Sequence, residues 1–398
     1  MKFDFVIIAN AWAAARDNPT SKHQIARELV RAGHRVLWVE GAGMRRPSFG
    51  SGQDRGRMVR KVRAALRGAV RDEEAGLWVL APLLVPLPGL AWVRVFNGWL
   101  FRQVAWHWAR RLGFREPVLI NYVPVLAGAM KGWKGKIVYH CVDRWDQFDM
   151  YDTAMMQKMD RQCRAHAGLV IASSEELAAH CRQDHPNVHL VGHGVNFAHF
   201  AKALVVPPDE RPVGLPEGVI VGFIGLLSEW VDQELILAVA RAVPEAHVVL
   251  IGKADVDVAR LRGVPNLHVL GPRPFEDLPL YVAHFSVGII PFVVSELTRA
   301  VNPIKLREML AAGCPVVSTA LPEVARYAGV LEGVHVARDP GDFVAQTRRW
   351  VGAPLVGEAR WRLSEAMRGE TWDVKTREIV GLIEGMRGEG RGGKGGTP

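Results

Sequence analysis

FDFVIIANAWAAARDNPTSKHQIARELVRAGHRVLWVE, residues 3–40, contains the unit from which the fold of the whole chain can be read. The apolar run Phe3–Ala9 reads as a strand, and Asn18-Pro19-Thr20-Ser21 as a turn. Ile25, Leu29, Val30 and Ala32 then fall on one side of a helix. Gly33 stops that helix, and a second apolar run, Arg35–Glu40, follows at once. Strand, helix, glycine stop and strand in under forty residues make a βαβ unit, and such units build parallel sheets.

The same alternation recurs along the chain. Strand-like runs stand at Val118–Tyr122, Lys136–Val142, Gly168–Ala172 and Val188–Val191, the last followed by the turn Gly192–Val195. Residues 197–218 carry Pro207, Pro208, Pro212 and Pro216 and read as a linker. A second series has strands at Val219–Leu226, His247–Ile251, Leu267–Leu270, Val287–Pro291 and Pro315–Ser318. Helices are expected over Gln233–Ala242 and Phe275–His284, and another starts at Asp339-Pro340. With 398 residues the chain is too long for one ordinary core and suits two. The expected organisation is a Rossmann-like domain over 1–196, the linker 197–218 and a second Rossmann-like domain over 219–370. A helix over 371–387 can return to the first domain, and the glycine-rich 388–398 reads as a disordered tail.

Charge is placed unevenly. Residues 1–200 hold 28 Lys/Arg against 17 Asp/Glu, whereas the remainder holds 22 against 24. Residues 45–72 read as a basic amphipathic helix, and Phe96–Phe114 sets Trp99, Trp106 and Trp108 among Arg102, Arg110 and Arg111. Ordinary solvated helices are one reading, and a docking surface for anionic lipid is the other. No nucleic-acid recognition motif accompanies the charge. The apolar stretch Leu77–Trp92 is broken by Pro82, Pro86 and Pro88 and is too short for a spanning helix. Phe3–Ala9 carries Asp4 and lacks a cleavage site, so no signal peptide is expected. Four scattered cysteines, Cys141, Cys163, Cys181 and Cys314, suit a reducing cytoplasm.

The sharpest chemical signal is Arg299-Ala300-Val301-Asn302-Pro303-Ile304-Lys305-Leu306-Arg307-Glu308, continuing to Gly313. Asn302 can cap a helix whose first position suits Pro303, and the free N–H groups at that end attract an anion. Lys305 adds positive charge within the first turn, as a diphosphate requires. Glu308, one turn on, can accept two hydroxyl hydrogen bonds from a vicinal diol such as a ribose.

This stretch resembles the donor-binding helix of GT-B glycosyltransferases, especially the family 4-like enzymes of bacterial surface polysaccharide and teichuronic-acid-type synthesis. Lys305, Glu308 and Gly313 match that family's K-x-x-E-x-x-A-x-G-like segment, in which the Glu holds the nucleotide ribose. Val221–Gly225, Leu270–Pro272, Ile289–Phe292 and, more weakly, Ser21–His23 and Gly194–Asn196 extend the resemblance. Two departures stand out. Ala300 occupies the place of a second Glu, with Glu296 nearby, and Leu226–Trp230 replaces an Arg/Lys pair.

The resemblance implies an α/β fold of two Rossmann-like domains facing a cleft, binding a nucleoside-diphosphate sugar in the second domain and an acceptor in the first. It implies a metal-independent glycosyltransferase without a cofactor, using a UDP-sugar and a lipid-linked or polysaccharide acceptor. The enzyme would be cytoplasmic, peripheral at the inner face of the plasma membrane. Donor-site candidates are Gly225, Lys253, Arg273, Arg299, Asn302, Lys305 and Glu308. Asp143, then His140, are candidates for the base, since Tyr139–Asp143 ends a strand at the edge where α/β ligands gather. Asp143 as a cap of the next turn stays open beside that. A sugar-nucleotide epimerase of the same fold and a non-catalytic membrane-associated scaffold are the alternatives. Asp255-Val256-Asp257 and the series His180, His185, His189 and His193 are set aside as metal sites, and the first strand lacks a G-x-G-x-x-G turn.

Overall fold

The computed structural model describes residues 1–10, 19–41, 62–85, 87 and 89–386. They form two compact α/β units. One runs to Val191 and takes in the chain from Lys375 onward, and the other spans Gly192–Val374.

In the first unit β1 (Asp4–Ala9), with every residue buried, pairs in parallel with β2 (Arg35–Glu40), Val6 opposite Leu37 and Ile8 opposite Val39. The connecting helix Ser21–Arg31 starts at Thr20, whose N–H donates to His23 Nδ1 at 3.1 Å. It stops at Gly33, where a φ of +83° suits a residue without a side chain. After β3 (Val70–Asp72) and β4 (Leu77–Leu80) come β5 (Val118–Asn121), β6 (Ile137–Cys141), β7 (Leu169–Ala172) and β8 (Val188–Leu190). Among the described residues the sheet order is β3-β4-β2-β1-β5-β6-β7-β8. Only the β3–β4 pair is antiparallel. Helices cover both faces of such a sheet, so its strands are unbroken apolar runs.

The basic helix expected over 45–72 ends differently. Residues 62–67 are helical, but Val70–Asp72 is an edge strand turning through 73–76 into β4. Its register pairs Val70 with Val79. Arg57, Arg60 and Lys61 lie outside the described residues.

The second unit has a parallel six-stranded sheet. Its strands are β9 (Val219–Ile224), β10 (Ala246–Ile251), β11 (Leu267–Gly271), β12 (Phe285–Ile290), β13 (Val316–Ser318) and β14 (Val334–Val336). Their order is β11-β10-β9-β12-β13-β14. Alternation sends Ile220 and Ile224 to one apolar core and Val221 and Phe223 to the other. Each such fully buried side chain contributes about 1.5–3 kcal/mol. Residues 197–218 contain the helical turns Phe197–Phe200 and Ala201–Val205, and Phe200, Ala203 and Leu215 are buried in the first of those cores. The segment read as a linker is therefore part of this unit's core. A last helix, Trp372–Gly385, carries the chain out of the second unit, and Met1 of the first unit pairs with its Glu384 at 3.3 Å.

Candidate functional site

The strand orders locate the ligand edges. The direction in which successive strands are added reverses between the parallel neighbours β1 and β5 in one sheet and β9 and β12 in the other. Ligands of open α/β sheets gather beyond the strand carboxyl ends at such points.

Gly225 follows β9 at that edge. Its N–H donates to Ile251 O at 2.9 Å, and Gly252 N–H donates to Gly271 O at 3.0 Å, lacing the ends of β9, β10 and β11 together. Gly252 has φ +148°, and a Cβ there would overlap the Gly225 carbonyl oxygen. The backbones can approach this closely because residue 252 lacks a side chain.

Helix Ile304–Ala311 lies between β12 and β13. Its N-cap is Pro303, and no side chain caps it. Asn302, expected as the cap, faces a different partner set. It accepts from Arg307 Nη1 at 2.5 Å and donates to Glu323 Oε2 at 3.3 Å, all three residues being buried. A guanidinium and a carboxylate within reach outcompete a backbone N–H for the amide. The cap geometry is thus left to the backbone, and the helix dipole points its positive end outward without a side-chain oxygen over it. Lys305 Nζ donates to Glu308 Oε2 at 2.6 Å, with the carboxylate nearly buried. Cation, carboxylate and uncapped turn are therefore contiguous.

Among the described residues no hydrogen bond or ion pair draws Lys253, Arg273 or Arg299 into this group. Lys253 is exposed and paired with Asp255, the first acid of the D-x-D triplet. Arg273 folds back onto its own loop: Nε donates to Tyr281 Oη at 2.8 Å and Nη1 to Leu270 O at 2.9 Å. Its donors serve Tyr281 and the local turn. Arg299 ends the helical turn Glu296–Arg299 with its side chain in solvent.

In the first unit Tyr139-His140-Cys141-Val142-Asp143 does run off the carboxyl end of β6. His140 is buried, its Nδ1 lies 3.1 Å from Tyr122 Oη, and its Nε2 has no partner. Burial, with Lys22 adding to it, pushes the imidazole down to about 3, so it is neutral. Burial lifts Asp143 to about 6, against the opposing pull of Lys22. The following turn Trp145–Gln147 has Arg144 at its cap and no side-chain cap bond, so Asp143 does not cap it.

Sequence reading missed Lys22 as a chemical group. It is buried in the first turn of helix Ser21–Arg31, with Nζ donating to Asn10 Oδ1 at 2.6 Å. It stands 5.8 Å from the Tyr122 ring centroid and 5.3 Å from that of Trp145. Burial lowers its pKa, and Asp143 opposes that. Lys22, from the helix after β1, thus meets Tyr122, His140 and Asp143, from the carboxyl ends of β5 and β6, in one polar cluster. A weakly basic carboxylate next to a buried cation and a neutral imidazole can take a proton at neutral pH.

The four histidines set aside have separate partners. His180 meets Asp160 at 3.2 Å, His185 meets Ala167 O at 3.0 Å, His189 meets Asn187 at 3.0 Å, and His193 packs on Trp372. No group of three metal-ligating side chains occurs among the described residues.

Comparison with known proteins bears on the second unit first. Residues 218–352 match the family model of the glycosyl transferases group 1. A curated relative, "Putative teichuronic acid biosynthesis glycosyltransferase TuaH" of Bacillus subtilis (strain 168), is 26% identical over 272 residues, covering 64% of this chain and 68% of its own. Among solved structures, sucrose-phosphate synthase from Thermosynechococcus elongatus superposes with TM-score 0.68 at 15% identity, over 96% of this chain and 98% of its own. Anabaena Alr3699/HepE in complex with UDP and glucose gives 0.62 at 13% identity, over 96% and 99%. The uncapped helix and its Lys305–Glu308 pair lie inside residues 218–352, the segment that matches the glycosyl transferases group 1, and the chain is a glycosyltransferase with the GT-B fold.

Proposed function

We propose that the enzyme transfers a sugar from a UDP-sugar to a lipid-linked or polysaccharide acceptor in the synthesis of a cell-surface glycan. The observation that carries this reading is the Lys305–Glu308 pair one turn into an uncapped helix at the carboxyl edge of β12. Glu308 would accept the ribose hydroxyls, while Lys305 and the helix N-terminus hold the diphosphate. As the bond between sugar and diphosphate breaks, charge grows on the leaving oxygens, and a fixed dipole and ammonium stabilise it without a metal ion. UDP is supported by the relative bound to UDP and glucose. A surface glycan is supported by the teichuronic acid relative.

Asp143 is the proposed base for the acceptor hydroxyl. With its pKa near 6 it is ionised at neutral pH yet still basic enough to accept a proton. His140, neutral and bonded to Tyr122, holds the shape of the cluster or hydrogen-bonds the acceptor.

The test is incubation with labelled UDP-sugars and a membrane-lipid extract, following label in the lipid fraction and released UDP. Transfer that depends on Glu308 supports the reading. Conversion of free UDP-sugar to an altered UDP-sugar with no acceptor present would replace it with an epimerase.

A further inference from the structure

Helix Ala91–Arg111 buries one face, with Val93, Asn97, Phe101, Ala105 and Ala109 repeating every four residues. The opposite face of such a helix is ordinarily polar. Here the first two turns hold Trp92, Val95, Phe96 and Trp99 in solvent, 65%, 72%, 42% and 49% exposed. Positions i, i+3, i+4 and i+7 make one stripe. Leu83, Leu87 and Leu90, in the preceding loop, are exposed as well. Single exposed apolar residues are ordinary, but seven within seventeen residues form a patch that marks an interaction site.

The loop is fastened to the helix. Buried Asn97 accepts from Val85 N–H at 3.0 Å and donates to Val85 O at 2.8 Å, and Arg94 Nη1 donates to Gly89 O at 3.0 Å. Gly98 lets the helix lie against Gly128, where a Cβ would come within 2.7 Å of backbone. The buried face is therefore committed, and the stripe cannot rotate inward.

Charge selects the occupant. Residues 75–114 contain four arginines, Arg94, Arg102, Arg110 and Arg111, and no Asp or Glu. A second copy of this face would set arginine against arginine, whereas an anionic surface complements it. No helix among the described residues is long and apolar enough to cross a membrane. A face with Trp, Leu and Phe flanked by Arg fits insertion at the boundary of headgroups and acyl chains.

We propose that the first two turns of helix Ala91–Arg111, with Leu83, Leu87 and Leu90 before them, form a face that docks on an anionic lipid bilayer. The apolar side chains enter the interface, and the arginines meet lipid phosphates. This goes beyond the transfer reading and does not depend on it.

The experiment is co-sedimentation of the full chain with vesicles of equal parts phosphatidylcholine and phosphatidylglycerol, and with phosphatidylcholine alone. The wild type should pellet with the anionic vesicles and far less with the neutral ones. Trp92→Ser/Trp99→Ser should weaken partitioning roughly tenfold or more, with unchanged circular dichroism and UDP titration. Both changes are on exposed side chains, and the UDP titration separates loss of docking from failure of the donor site. Equal binding by the variant, or no preference for anionic vesicles, would overturn the proposal. So would a concentration-dependent dimer lost in the same variant, which would assign the face to a second copy.

Discussion

Lys305 Nζ and Glu308 Oε2 are joined at 2.6 Å across one turn of helix Ile304–Ala311, so the cation and carboxylate proposed for the donor site hold each other. The pair holds the nearly buried Glu308 carboxylate against the partly exposed Lys305 ammonium. In the proposed donor site a nucleotide would meet a prearranged acceptor and donor rather than two mobile side chains.

Lys305→Met should weaken donor binding while leaving the helix in place, because the residue is partly exposed and methionine keeps the aliphatic stem. A hydrogen bond to a charged group is worth about 1.5–3 kcal/mol, or about 10- to 150-fold in KM for the UDP-sugar. Steady-state kinetics at fixed acceptor measures it, and an unchanged KM would remove Lys305 from the site.

The pH–rate profile should carry an acid limb near 6, where Asp143 loses its charge. Its pKa lies above the ordinary carboxylate value, so the folded protein binds the extra proton, and stability falls as pH rises from about 4 to 6. Activity moves the opposite way and rises through that window. Asp143→Asn should lower kcat by about 10²–10⁴ while sparing UDP binding. His140→Gln should leave the limb where it is, since the imidazole is already neutral across the range. A limb that moves with His140 would transfer the role of base.

Lys22→Met should shift that limb upward. The ammonium favours the ionised Asp143, so its removal raises the carboxyl further. The variant should also lose the bond to Asn10. Comparing pH–rate profiles with melting curves separates the two effects, because a purely structural role lowers Tm without moving the limb.

Gly252→Ala should destabilise the second unit. The residue sits at positive φ with its Cα against the Gly225 carbonyl, and the methyl has no room. Strain and displacement cost at least about 2 kcal/mol, which lowers Tm by about 4–8 °C. Thermal unfolding followed by circular dichroism reads this directly, and an unchanged Tm would mean the β9 and β10 ends are not held this closely.

The long parallel strands were legible because a strand covered on both faces is an unbroken apolar run, as in Phe5–Ala9 and Val219–Ile224. The short strands β3, β4 and β14 were not, since three or four residues carry too little pattern. Proline content made residues 197–218 look like a linker, yet Phe200, Ala203 and Leu215 fix them in a core. Lys305 and Glu308 could be read from spacing alone because they are neighbours on one helix. Lys22 could not. Its burial is set by Asn10, Tyr122 and Trp145, which the sheet brings to it from distant points in the sequence. Asn302 and Arg273 were read as ligands from residue type, and nearer partners claim both side chains.

The most direct measurement is calorimetric titration of the protein with UDP and with GDP, repeated on Glu308→Ala. The expected result is micromolar binding of UDP, weaker binding of GDP, and a loss of UDP affinity of roughly tenfold or more in the variant. Absence of binding by either nucleotide, or equal UDP affinity in wild type and variant, would contradict the donor site assigned to Lys305 and Glu308.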